Sequence, residues 1–75
     1  MRNTAAELGE TIRKRREVLG LLQPQLSAIA HVSTRTIQLV EAGKANPSIG
    51  ILTKIANPLG LVLKLDLKEI ANDNG

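Results

Sequence analysis

What most constrains this chain is what a sequence so short does without. In 75 residues there is no cysteine and only one histidine, His31. Chains below roughly 70 to 80 residues rarely draw more than about 3 to 5 kcal/mol from a lone core, so they lean on disulfides, a metal or a second subunit. A disulfide framework and every cysteine-based zinc or iron–sulfur site are excluded. Oligomerisation is left as the natural staple. With 43% hydrophobic residues, the chain makes one domain at most, burying only about 60% of its unfolded surface. Phe, Tyr and Trp are absent as well, which removes the stacking platforms that single-stranded nucleic-acid binders use.

Ten Lys and Arg against seven Asp and Glu give a net charge of +3, a mild bias toward an anionic partner. The excess is local, in the run Arg13, Lys14, Arg15 and Arg16, while the sequence after Lys54 is nearly balanced. No apolar run approaches the roughly 18 residues of a membrane span, and no charged start leads into an apolar signal core. These features predict a soluble, cytoplasmic protein with no metal, cofactor or small-molecule ligand. An enzyme is disfavoured by the lone histidine and the scattered carboxylates. A membrane-surface peptide is disfavoured because helix 1, the only candidate, needs its apolar residues for the core.

Thr4 and Glu7 fit a capping box, and Leu8, Ile12 and Leu19 recur at helical spacing before Gly20, predicting helix 1 over about residues 5 to 19. Gln23-Pro24 reads as a second helix start, with Leu26, Ile29 and Ala30 facing inward. His31-Val32-Ser33 interrupts this pattern, and Ser33 caps a third helix that carries Ile37 and Val40 and closes at Gly43. Ser48 caps a fourth, predicted over about residues 49 to 56 and stopping before Leu59 because of Pro58. From Leu61 the period becomes two, with Leu61, Leu63, Leu65 and Leu67 on one face and Val62, Lys64 and Asp66 on the other. That predicts a half-buried strand over 61–67 with no partner in its own chain, so a second copy is expected to pair with it about a two-fold axis. Residues 68–75 read as a flexible polar tail.

Two short helices joined by a tight turn in a small basic domain are the geometry with which helix-turn-helix proteins lay their second helix in the major groove of duplex DNA. The stretch Ile12-Arg13-Lys14-Arg15-Arg16, Gly20-Leu21-Leu22-Gln23, Leu26, Val32-Ser33, Thr36-Ile37, Glu41-Ala42-Gly43-Lys44 and Asn46-Pro47-Ser48 resembles the XRE family of Cro- and phage-repressor-like regulators. The resemblance runs over residues 8–67, and residues 59–67 resemble the C-terminal strand of the HipB-like antitoxin branch. It implies an all-α, lambda-repressor-like bundle of four to five short helices, with one C-terminal strand pairing across a homodimer and residues 1–67 as the domain. It also implies a palindromic DNA operator, a HipA-like kinase toxin as partner, and autoregulation of the operon. Two alternatives stay open: an antitoxin that mainly sequesters its toxin, and a stand-alone phage-like repressor.

Turning 100° per residue from an inward Ile37 puts Gln38 at about 100°, Ala42 at about 140°, Arg35 at about 160° and Leu39 at about 200°. Arg35 and Leu39 are therefore expected to point outward together. Arg35 can fork onto guanine O6 and N7, Gln38 can reach an adenine edge and Leu39 can meet a thymine methyl, with Thr34 and Thr36 next in line. A plain solvated face would explain an outward leucine poorly. Gln23, Ser33, Lys44, Asn46 and Ser48 are the expected phosphate contacts, which set register without reading sequence. The resemblance further implies a structural ion pair of Arg16 with Glu41, and a Gln23 that braces the recognition helix. Arg13, Lys14 and Arg15 read as a solvated basic face with phosphate steering as a secondary role. Two departures from the family pattern stand out. Leu22 occupies a capping position usually held by Thr or Ser, so helix 2 is expected to fray, and His31 replaces a turn glycine where a left-handed backbone is expected.

Overall fold

A computed structural model of the chain describes residues 5–64. Thr4, Leu65, Leu67 and the 68–75 tail lie outside the described residues. Within them are four helices and no strand: α1 (Ala5–Val18), α2 (Gln23–Ala30), α3 (Thr34–Glu41) and α4 (Ile49–Leu59).

α1 buries Gly9, Ile12 and Arg16, not the expected Leu8–Ile12–Leu19 stripe. Leu8 and Leu19 keep 37% and 43% of their surface exposed. The cause is Gly9, where a Cβ would stand 2.3 Å from the Val40 carbonyl oxygen and 2.7 Å from that of Glu41. The bare glycine lets the α1 backbone lie directly on the end of α3, and this close approach rotates the contact face away from the leucines.

α2 starts at Gln23 as its sequence predicts. Leu22 has no side-chain cap to offer, but its own N–H donates to Gln25 Oε1 at 2.7 Å. The return half of a capping box survives and offsets the fraying expected there. Leu26 and Ala30 are buried while Ile29 is 52% exposed, which corrects the inward assignment of Ile29. The inner row of α2 is Gln23, Leu26, Ser27 and Ala30, and its two polar members have partners: Gln23 on Glu41, and Ser27 Oγ donating to the Val32 carbonyl. His31 takes the left-handed conformation (φ 62°, ψ 41°) and its N–H donates to the Ser27 carbonyl, so it does the turn's work in place of glycine.

Ser33 caps α3 by accepting from the Thr36 N–H at 3.0 Å, and Ser48 caps α4 by accepting from the Ile51 N–H at 3.1 Å. α4 runs through Pro58 to Leu59, one turn further than Pro58 alone suggests. In the last turn the missing proline N–H deprives a single carbonyl of its donor. In return Leu59 is buried to 1% exposure, which stabilises the fold by about 1.5–3 kcal/mol. Gly60 (φ 75°) then closes the helix, and the N–H groups of Gly60 and Leu61 both donate to the Ala56 carbonyl.

The core comprises Ile12, Leu26, Ala30, Ile37, Val40, Ile55 and Leu59, with Leu21, Val32, Ala45, Ile51, Leu52 and Leu61 packed around it. Leu61 therefore belongs to the chain's own core. Residues 62–64 run on exposed, Val62 at 80% and Leu63 at 41%. Residues 61–64 join no ladder, since a strand needs a partner that a single copy does not supply.

Candidate nucleic-acid interface

α3 is held from beneath. Arg16 Nε donates to Glu41 Oε2 at 2.6 Å and Arg16 Nη2 to Glu41 Oε1 at 2.9 Å, a bidentate pair whose side chains are only 9% and 4% exposed. The third guanidinium nitrogen, Nη1, donates to the Leu21 carbonyl at 2.8 Å. The hydrogen bond to Glu41 raises the Arg16 pKa against the opposing cost of burial, so the guanidinium stays charged throughout the folded range. Gln23 Nε2 adds a fourth bond, to Glu41 Oε1 at 3.0 Å. One carboxylate thus ties α1, the start of α2 and the end of α3 together.

The face that this brace presents is α3's outer side. Arg35, Gln38 and Ala42 are exposed, while Thr34, Thr36 and Leu39 are half-buried. The expected outward pairing of Arg35 with Leu39 is thus only half met, since Leu39 is partly covered at the helix flank. The Thr36 Oγ1 accepts from Ser33 Oγ at 2.9 Å, and Ser33 Oγ also accepts from the Thr36 N–H. Both hydroxyls are therefore committed to the cap first. Ser48 Oγ is engaged in the same way at the start of α4, and Gln23 spends one of its two amide hydrogens on Glu41. Lys44 and Asn46 are exposed in the loop after α3 and make no side-chain hydrogen bond among the described residues.

The basic run of α1 forms the expected solvated face, with Arg13 partly exposed and Lys14 and Arg15 exposed, but the charges of Arg13 and Lys14 are paired along the helix. Arg13 Nη1 lies 3.1 Å from Glu17 Oε1 and Arg13 Nη2 3.5 Å from Glu10 Oε2, and Lys14 Nζ is 3.3 Å from the same Glu10 oxygen. These are helical i,i+3 and i,i+4 pairs that cancel much of the local charge. Arg15 turns the other way, its Nε donating to the Leu59 carbonyl at 2.7 Å. That bond joins residues 44 apart in sequence, and no local pattern signals it. The Gln25 return cap does have a sequence signal, a glutamine three residues after the cap position. Arg35 and Lys44 are left as cations of the motif region without a partner among the described residues.

No group of three or more metal-ligating side chains occurs among the described residues, and no described helix is long and apolar enough to cross a membrane.

A short helix pair whose second helix is pinned by a buried ion pair and shows an open arginine and glutamine defines a helix-turn-helix module. The chain belongs to the Helix-turn-helix family HTH_3, the XRE type of DNA-binding regulators, which it matches over residues 12–64. Among solved structures it is similar to the restriction-modification controller protein C.AhdI from Aeromonas hydrophila, with a TM-score of 0.73 and 26% identity over 77% of this chain and 88% of that one. It also shares its fold with the clp gene regulator ClgR from Corynebacterium glutamicum, with a TM-score of 0.71 and 24% identity over 76% of this chain and 61% of that one. Among curated proteins no significant match is found.

Proposed function

We propose that this protein is a sequence-specific binder of double-stranded DNA that represses transcription, its own operon included, as a homodimer on a palindromic operator. The observation that carries this reading is the contrast in charge: the α1 cations have partners, whereas Arg35 on α3 and Lys44 just beyond it are exposed with no partner among the described residues. In the major groove Arg35 forks onto guanine, Gln38 pairs with an adenine edge, and Leu39 covers a thymine methyl, with Thr34 and Thr36 beside them. Lys44 and Asn46, the second amide hydrogen of Gln23, and the capped starts of α3 and α4 at Ser33 and Ser48 meet phosphates. The controller role named for C.AhdI supports a regulatory reading.

Dimerisation is assigned to residues 61–67, where Leu63, Leu65 and Leu67 with their two-fold mates form the apolar face of a two-stranded ribbon and Leu61 anchors it to the core. Two-fold symmetry then sets half-sites about 34–36 Å apart, or a multiple of that. A second reading, as the antitoxin of a HipA-like kinase toxin, rests on the resemblance of residues 59–67 to the HipB-like branch. The exposure of Val62 and Leu63 suits a protein partner at that end of the molecule.

Binding to labelled duplex from upstream of the gene, against a random duplex across a salt series, tests the first reading. A specific complex at least about 1000-fold tighter, with a steep salt slope, is expected. Equal, weak binding to both would sink it and leave toxin sequestration as the better account.

A further inference from the structure

We propose that Ser27 is a positioning residue: its hydroxyl reaches across the turn between α2 and α3, seats the first turn of α3 and so sets how Arg35 meets a base. The inference rests on the DNA-binding reading above. Elsewhere in the molecule, Thr11 Oγ1 donates back to the Glu7 carbonyl at 3.0 Å and Thr53 Oγ1 to the Ile49 carbonyl at 2.9 Å. That is the ordinary habit of a hydroxyl inside a helix, which bonds the carbonyl four residues before it. Ser27 donates forward instead, past the end of α2, to the carbonyl of Val32. A bond aimed there serves the helix that follows.

Ser27 grips Val32 at both of its backbone groups. The Val32 N–H donates to the Ser27 carbonyl at 3.2 Å, and the Val32 carbonyl accepts from the Ser27 hydroxyl. The His31 N–H donates to the same Ser27 carbonyl. The two N–H bonds close α2. The hydroxyl bond lies beyond the left-handed His31, on the peptide that joins Val32 to the cap residue Ser33. The ladder of α3 starts one carbonyl later, with the Ile37 N–H on the Ser33 carbonyl at 3.1 Å, and the Ser33–Thr36 cap is internal to α3 and moves with it. Other restraints on α3 sit further along: the buried Ile37 and Val40, the close approach of Gly9, and the Glu41 carboxylate held by Arg16 and Gln23. At its start, the half-buried Val32 side chain fixes how deep the chain enters the core, and the Ser27 hydroxyl fixes the tilt of the entering peptide. Arg35 follows that peptide within one turn. A two-pronged contact from a planar guanidinium to a base edge is sensitive to such a tilt.

The test uses the full chain and a duplex selected from a random library, with each base pair of the bound site replaced in turn. The pair read by Arg35 is the one whose preference Arg35→Ala relaxes. Ser27→Ala removes a single oxygen at a helix position that alanine suits, so the variant is expected to stay folded. Its discrimination at the Arg35 pair should fall about three- to tenfold, part of what a bidentate contact supplies. The salt slope should stay unchanged, because the phosphate contacts are kept. A merely structural role moves the urea midpoint and leaves the discrimination ratio alone, so an unchanged ratio overturns the proposal whatever the stability. A loss equal on every duplex does the same. A wild type with no preference at any base pair, or with none that Arg35→Ala relaxes, would overturn the reading of DNA by Arg35 and this inference with it. A preference that depends on Arg35 and survives Ser27→Ala overturns this inference alone. Should the alanine variant fail to fold by circular dichroism, Ser27→Cys, with a weaker donor of similar shape, carries the same criterion.

Discussion

The two basic regions of this protein have opposite fates. On α1, Arg13, Lys14, Arg15 and Arg16 form the densest positive run in the sequence, and each has its charge or its donors engaged within the molecule. Around α3 the cations are sparse, and Arg35 and Lys44 are exposed with no partner among the described residues. Net charge at the level of sequence thus does not show which cations are paired. What decides availability is whether a carboxylate or a helix end lies one turn away or across a packed contact. Glu10 and Glu17 supply the first kind of partner, and Glu41 and the Leu59 carbonyl the second.

The largest effect that could break this comparison is expected at Arg16. Arg16→Ala strands the Glu41 carboxylate, 4% exposed, and should cost about 3–5 kcal/mol. That is comparable to the whole contribution of a core this size. Urea unfolding followed by circular dichroism should show a collapsed midpoint, and a double-mutant cycle with Glu41→Ala should show strong coupling. Additive single effects would mean that the pair is not the brace described here. Arg35→Ala is expected to do the reverse: no change in unfolding, but a loss of about 1–3 kcal/mol in operator affinity, with preference relaxed at one base pair. A melting shift in that variant would show that Arg35 carries structure and is not open.

This division also marks what could be read from the residues. Helix starts at Ser33 and Ser48 and the closure at Gly43 rest on signals within four residues, and all of them hold in the structure. The left-handed backbone at His31 follows from the family resemblance, which has a glycine at that turn. The Arg16–Glu41 pair, 25 residues apart, came from family resemblance and not from spacing. The role of Gly9 has no local signature in a mid-helix glycine, and it shows only when α3 lies on it. Hydrophobicity alone puts Ile29 inward, whereas polar partners draw Gln23 and Ser27 to the inner row instead. Pro58 reads as a stop in the sequence, which does not show how deeply Leu59 is buried beyond it. At the interface, the exposure of Arg35 and Gln38 followed from helical phase, whereas the commitment of Ser33, Thr36 and Ser48 to capping depends on the local geometry of each helix start.

Smaller effects sharpen the contrast. Lys44→Ala should weaken binding to every duplex alike and flatten the log–log salt dependence by about 0.9, the share of one phosphate. A sequence-dependent loss would instead place Lys44 against a base. The smallest effect is expected on α1, from Arg13→Ala combined with Lys14→Ala. These side chains are 39% and 66% exposed, and exposed helical ion pairs contribute only about 0.3–0.5 kcal/mol each. The melting temperature should therefore barely move. The salt slope on operator DNA should not move either, because charges already balanced by Glu10 and Glu17 release few counterions on binding. If removing this pair flattens the slope as much as removing Lys44 does, the α1 acids do not neutralise the run near DNA, and the division between engaged and open cations fails at its weakest point.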